Sequence, residues 1–513
     1  MQNLHNPSER SKVEPLFFTI LLIISLIPLL LQGHFITLDG PAHLYNSRLI
    51  RELLAGNSLV QSFFSWNPIP EPNWSGHFLM ALFGSFLSAE VTMKLIIALI
   101  LVTTATGFRR LFIQMAPESA WCSWLIFPWL YHFPLMMGFL NYSIGLALFP
   151  WIISIWQQSE TGFSATRNLL LFVMLTFSYF SHLMLFAITF LAMGMTLLYR
   201  NNYIKRAGWL ALISAPFIAA GFMFILNRGT TGMHGSYNRL STDELLLNFA
   251  SVRPLIIFHM DNERPTGIAY GIFLAFLLII AFLRPDKEKF FRNTGLFTLV
   301  MIGLYFLFPD DFAAGGIISV RIAQLAFIGI LWMVACARLS PGMQKIAAAG
   351  SVIFSVLFYS LHHETHCTLS ADATNYASAA SSIPEGSVVL PLNYSENWLH
   401  SNFPGLAGAE RNLIVLDNYE ADMLYFPLHW KEGLNVKEQY GDYASSKRPC
   451  IPFAKLAATQ KLPDAILCWQ MPDNDRDSCT LIVNQQLLEH YKLKYTNKSA
   501  KVYLLNQKSN SNS

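Results

Sequence analysis

The sequence predicts an α-helical polytopic membrane bundle of about eleven spans, followed by an exported C-terminal α/β domain. Three observations predict it. The chain is 53% hydrophobic and only 13% charged, where a soluble domain is about one quarter charged. Its apolar residues, 40 phenylalanines among them, come in runs separated by short charged clusters. Lys and Arg fall in alternate connections, as the retention of positive charge on the cytoplasmic side requires. A net charge of +3 without a basic stripe excludes nucleic acid as a partner.

The first run, 16–31, follows Arg10 and Lys12, and no small-residue cleavage site precedes Asp39. It reads as a retained span with the N-terminus inside. Further spans are expected near 91–112, 121–133, 138–156, 169–181, 183–199, 209–226, 267–283, 294–308, 321–337 and 346–361. That register places Arg109 and Arg110, Arg167, Arg200, Lys205 and Arg206, Arg284, Lys287, Lys289 and Arg292, and Arg338 and Lys345 inside. An odd number of crossings puts the C-terminus outside. The run 169–198 is divided by a turn at Ser181 and His182, because a single helix would invert every later cluster. Each arm then has only about 15 residues, short of a 30 Å hydrocarbon core. The stretch 78–87 reads as a helix lying at the outer interface.

The transmembrane module is expected over 1–361, with an outer loop at 33–75, and the exported domain over 362–513. In the latter, 387–392, 413–416 and 465–469 read as buried strands, with a helical segment at 372–382. The end, 491–506, reads as a hairpin turning at Asn497 and Lys498, and 509–513 as a polar tail. His362, His363, Glu364 and His366 mark the membrane exit. Cys122 and Cys336 fall in spans. Cys367, Cys450, Cys468 and Cys479 are exported, where at least one disulfide is expected and three pairings stay open. Asp473, Asp475 and Asp477 alternate like a calcium loop, but Ser478 stands where its glycine belongs and Asn484 where its glutamate belongs. The run reads as an acidic turn. No zinc spacing, phosphate-cradling loop or serine nucleophile elbow is present.

The first outer loop carries the most chemistry. Thr37-Leu38-Asp39-Gly40-Pro41-Ala42-His43-Leu44-Tyr45 puts an acid directly after span one, and His43 one turn into the helix that Gly40-Pro41 starts. Trp66-Asn67-Pro68-Ile69-Pro70-Glu71-Pro72-Asn73-Trp74 follows. Three further steps stand out: Gly138-Phe139-Leu140-Asn141-Tyr142, the Ser181-His182 turn, and Gly315-Gly316-Ile317-Ile318-Ser319-Val320-Arg321. In this layout the chain resembles the GT-C superfamily of polytopic membrane glycosyltransferases. The resemblance covers most of the chain in layout, through short and loose motifs.

The resemblance implies inverting transfer of a sugar from a polyprenyl-phosphate donor to a saccharide, lipid or protein acceptor at the outer face of a bacterial-type plasma membrane. Membrane lipids are its other partners. Asp39 is the expected general base, because an acceptor hydroxyl loses a proton as it attacks. A guanidinium suits the leaving phosphate. Arg321 is the first candidate and Arg253 the second. His43, Glu71, Trp74, Asn141 and His182 complete the expected donor and substrate contacts. Asp39 has no second acid beside it in the loop, the nearest being Glu52 and Glu71, so no metal and no cofactor are expected.

Each residue has a structural reading too. Asp39 before Gly40-Pro41 suits a helix N-cap. Arg321 suits an interfacial anchor, Trp66 and Trp74 an aromatic belt, and Asn141 a turn. His43 and His182 suit satisfied structural histidines. Two other functions remain open at this point: a flippase for a lipid-linked saccharide, and a non-catalytic envelope assembly protein. The scarcity of intramembrane acids and the lack of an internal repeat speak against the former.

Overall fold

The structure, a computed structural model, describes residues 13–158, 164–197, 203–230, 238–285, 287, 291–311, 315–436, 439, 449, 451, 456, 462–472 and 477–506. Arg10, Lys12, Arg200, Lys289, Cys450, Asp473, Asp475 and the tail at 509–513 lie outside the described residues. The chain is mostly helical. Among the described residues six helices are long and apolar enough to cross a membrane: Val13–Leu31, Ala89–Met115, Tyr203–Met223, Met260–Leu283, Ile318–Ala335 and Pro341–Ala380. This is a multi-pass membrane protein. Leu183–Met195 and Phe291–Leu307 are shorter apolar helices.

The chain forms two compact units. The first comprises 1–31, 98–135 and 142–364, and the second 32–97, 136–141 and 365–513. The second therefore joins most of the expected C-terminal domain to the first outer loop.

In the first unit every residue of Ile318–Ala335 is buried. Its neighbour Phe291–Leu307 approaches closely because Gly329 has no Cβ to strike Thr298. Small residues commonly allow such approach between membrane helices. Helices such as Tyr203–Thr230 expose Leu212, Ile218, Phe222 and Met223 instead, as a lipid-facing surface does. Arg109 holds Glu14 through two bonds of 2.6 and 2.7 Å, and the Trp124 indole N–H donates to the same carboxylate at 2.8 Å.

Some expectations need correction. The segment 121–133 contains a 3-10 helix, Ala120–Trp129, with Pro128 inside it, and not a long α-helix. Ten residues at about 2 Å rise each cover only about 20 Å, so a crossing here also takes in the residues up to the short helix Phe133–Met136. The helix expected to leave the membrane at 361 does not stop there. It runs from Pro341 to Ala380, absorbing the segment expected separately at 372–382. His362 is buried, with Nε2 3.0 Å from Glu263. The break at Ser181 and His182 stands as expected. One helix ends at Ser181, the next begins at Leu183, and His182 is extended between them.

In the second unit the strands are β1 (Phe64–Trp66), β2 (Val388–Asn393), β3 (Ile414–Val415), β4 (Leu428–Trp430), β5 (Ala465–Trp469), β6 (Tyr491–Thr496) and β7 (Ala500–Leu505). A five-stranded sheet has the order β3-β2-β5-β7-β6. Its first three strands are parallel and the β6–β7 hairpin is antiparallel, which is the expected hairpin at 491–506. Asp477 caps the helix Ser478–His490 by accepting from the Thr480 amide at 3.1 Å. Cys479 is disulfide-bonded, whereas Cys122, Cys336, Cys367 and Cys468 are thiols.

The outer loop is stitched to this domain. Strand β1 pairs antiparallel with β4 in a separate two-stranded sheet. The helix Gly40–Leu54 packs on Pro404–Ala409, where Gly405 meets the Pro41 backbone and Gly408 the Tyr45 ring. The Tyr45 hydroxyl donates to the Leu413 carbonyl at 3.3 Å and accepts from the Val415 amide at 2.8 Å.

Candidate active-site residues

Asp39 sits at the N-cap position of Gly40–Leu54, but its side chain makes no capping bond. The carboxylate is half-buried and turned elsewhere. Asn402 donates to Oδ1 at 2.9 Å, and the Tyr419 hydroxyl is hydrogen-bonded to it. Burial, the charges of Asp39 and Glu420 and that bond hold the Tyr419 phenol well above its ordinary value, so it remains a donor.

The backbone of Asp39 is fixed by Gly138. The Leu38 and Asp39 amides donate to the carbonyls of Met136 and Met137 at 3.0 and 3.3 Å. Gly138 then turns with a φ of +80°, and a Cβ there would overlap the Asp39 backbone. Only glycine tolerates both demands.

One turn on, His43 is buried. Its Nε2–H donates to the Gly138 carbonyl at 2.9 Å, and its Nδ1 lies 2.6 Å from Oε1 of Glu420. From the helix Ser75–Phe83, His77 reaches the other oxygen of Glu420 with Nε2 at 2.8 Å, and its Nδ1–H faces the Asn73 carbonyl at 3.2 Å. Burial opposes the charge on Glu420, but the two imidazoles outweigh it and hold the carboxyl at about 2. His43 is pushed upward: burial opposes this, and the charge and bond of Glu420 prevail.

The remaining loop candidates pack inward. Asn141 accepts from the Gly76 amide and donates to the Asn73 carbonyl, both at 2.7 Å, so it ties the loop together. Trp74 is buried and donates from its indole N–H to the Tyr425 carbonyl at 3.2 Å. Trp66 is partly exposed and stacks on Phe78 with centroids 6.4 Å apart. Glu71 is buried.

In the first unit Arg321 occupies the first turn of Ile318–Ala335, after Ile317 at a φ of +58°. It is 8% exposed, which rules out an outward-snorkelling anchor. Its guanidinium lies 3.3 Å from Nε2 of His182 and 5.8 Å from the centroid of the Tyr142 ring. The Tyr142 hydroxyl reaches the Arg321 carbonyl and Gln324 Oε1, both at 3.1 Å. Arg253, in the short turn Arg253–Leu255, bonds to the Ile256 carbonyl and lies 4.2 Å over the Phe133 ring. Its group is therefore engaged locally.

The structure thus brings Asp39, His43 and Asn141 together with four residues that sequence reasoning missed: His77, Asn402, Tyr419 and Glu420. It separately brings His182 to Arg321. Glu420 lies 377 residues from His43, and no local pattern announces such a partner. His77 could have been suspected, as a histidine in an otherwise apolar helix.

No protein-family model matches the chain, and no curated protein matches its sequence. Several solved structures match it, and two that do so almost end to end are these. ArnT from Cupriavidus metallidurans in the apo state has a TM-score of 0.55 at 12% identity, over 95% of this chain and 97% of that one. The same protein bound to undecaprenyl phosphate has a TM-score of 0.52 at 11% identity, over 96% and 98%. At that identity the likeness is one of fold: this chain has the fold of the two ArnT structures.

Proposed function

We propose that the protein is an inverting glycosyltransferase that moves a sugar from a polyprenyl-phosphate donor to an acceptor at the outer face of the plasma membrane. The observation that carries this reading is the end-to-end fold match to ArnT, one structure of which is bound to undecaprenyl phosphate. About eleven crossings with the N-terminus inside and the C-terminus outside belong to the same reading.

The acceptor hydroxyl attacks the anomeric carbon and gives its proton to the Asp39 carboxylate. The bond from that carbon to the phosphate oxygen breaks, and its electron pair leaves with the polyprenyl phosphate. Attack opposite the leaving group inverts the centre. Two features of Asp39 support the assignment: its carboxylate is not spent on capping, and Gly138 fixes its backbone. Arg321 is assigned to the departing phosphate. A buried guanidinium with a planar fork suits that charge, and His182 orients it. His43 and Asn141 hold the loop in shape. Glu71 and Trp74 are second-line substrate contacts, and Arg253 serves mainly to fix its own turn.

Native mass spectrometry with undecaprenyl phosphate tests the assignment. Wild type should retain the lipid, and Arg321→Ala should lose it while eluting as a folded protein. Equal retention by both would remove Arg321 from the donor site.

A further inference from the structure

We propose that His43, His77 and Glu420 form a zinc site that fastens the outer loop to the C-terminal domain. This inference is independent of glycosyl transfer. Three potential ligand atoms, His43 Nδ1, His77 Nε2 and a Glu420 oxygen, lie within 4.8 Å of one another. All three residues are buried, at 4%, 1% and 0% exposure.

The hydrogen bonds on the far sides of the rings decide what faces inward. A carbonyl only accepts, so His43 Nε2 and His77 Nδ1 must each carry a proton toward Gly138 and Asn73. The nitrogens that face Glu420 are then lone pairs in the neutral rings. Two imidazole lone pairs and a carboxylate converge on one another, and something positive must lie among them. Protons on both rings would place two imidazolium charges with centroids 4.8 Å apart in a buried site. One divalent cation satisfies all three groups and leaves both rings neutral.

The surroundings are those of a metal site. Metal-bound histidines almost always donate their second N–H to a carbonyl, carboxylate or water, and both rings here do so. The Phe426 ring packs on both, at 6.1 Å from His43 and 5.3 Å from His77, and gives the centre an apolar wall. Two imidazoles and one carboxylate suit zinc, with ligand bonds of about 2.0–2.2 Å and a fourth position left for an oxygen. Seating a tetrahedral ion requires the two contacts of 2.6 and 2.8 Å to open to about 3.3 Å, by roughly 0.5–0.7 Å. No zinc spacing is legible in the sequence because the ligands come from the helix Gly40–Leu54, the helix Ser75–Phe83 and the turn Tyr419–Asp422.

Zinc fixed here would hold Tyr419, the neighbour of Glu420, against Asp39. The test is metal analysis of full-length protein freed of affinity histidines. Wild type should carry close to one zinc per chain, and Glu420→Gln and His77→Asn close to none. Chelation should lower the melting temperature of wild type by a few degrees, and stoichiometric zinc should restore it. Cobalt loaded into stripped wild type should give the visible absorption of a four-coordinate ion, which keeps the test open if a variant fails to fold. Two results overturn the proposal: wild type that takes up neither zinc nor cobalt with any shift in melting, or folded Glu420→Gln and His77→Asn that bind zinc as wild type does.

Discussion

Gly138 shows how much of this chemistry depends on a residue with no side chain. Its φ of +80° and its contact with the Asp39 backbone leave no room for a Cβ. Gly138→Ala must move Asp39 or distort the turn, at a cost of roughly 1–3 kcal/mol. We expect a folded variant with strongly reduced transfer, read by activity against melting temperature. An unchanged rate would mean that the Asp39 position is not critical. Arg321→Lys keeps the charge but loses the planar fork, so donor affinity should fall while folded yield stays level, measured as donor dependence of the rate. Asp39, His43 and Arg321 were legible as isolated polar residues flanking apolar runs, where an idle polar group is costly. Glu420, Tyr419 and Asn402 were not. They reach the outer loop across more than 340 residues, and neither period nor spacing encodes that distance.

Among the elements, those with a strong local signal were legible. The strand at 465–469 is a short apolar run and the hairpin at 491–505 a pair of largely alternating ones, each bounded by turn residues. The helix Pro341–Ala380 was under-read because composition shifts at His362. The better guide is punctuation: no glycine or proline follows Gly350 until Pro384, and only there does the chain have a reason to stop. The 3-10 helix Ala120–Trp129 was over-read because an apolar run carries no measure of rise per residue. Helix contacts make their own forecast. Gly329→Leu drives a side chain into Thr298, so folded yield in detergent should drop sharply, whereas Gly303→Leu, which meets nothing nearby, should be tolerated. The Cys479 disulfide is checked by alkylation, where reductant should add two reactive thiols to protein taken from its membrane.

At the scale of the whole molecule, the second unit unites the outer loop with residues 365–513. A loop expected as part of the transmembrane module is instead one wall of a domain, held by β1–β4 pairing, Tyr45 and the Glu420 cluster. Its proposed sidedness rests on the placement of Lys and Arg. In a background with the exposed Cys367 replaced, cysteines at Asn262 and Lys498 should react with an impermeant reagent outside intact cells. A cysteine at Lys205 should react only after permeabilisation. Labelling of Lys498→Cys from the cytoplasmic side alone would contradict the proposed orientation.

The central claim is that this fold transfers a lipid-linked sugar with Asp39 as base. It is tested most directly by following label from polyprenyl-phosphate sugars into membrane acceptors, in vesicles carrying equal amounts of wild type or Asp39→Asn. The Asp39 side chain makes no capping bond, and an asparagine oxygen can still accept from Asn402, so folded yield and melting should be unchanged. The amide cannot take the acceptor proton, and loss of a general base typically costs about 10²–10⁴-fold in rate. The account predicts transfer by wild type and near-background label with Asp39→Asn. Full transfer by Asp39→Asn would contradict it.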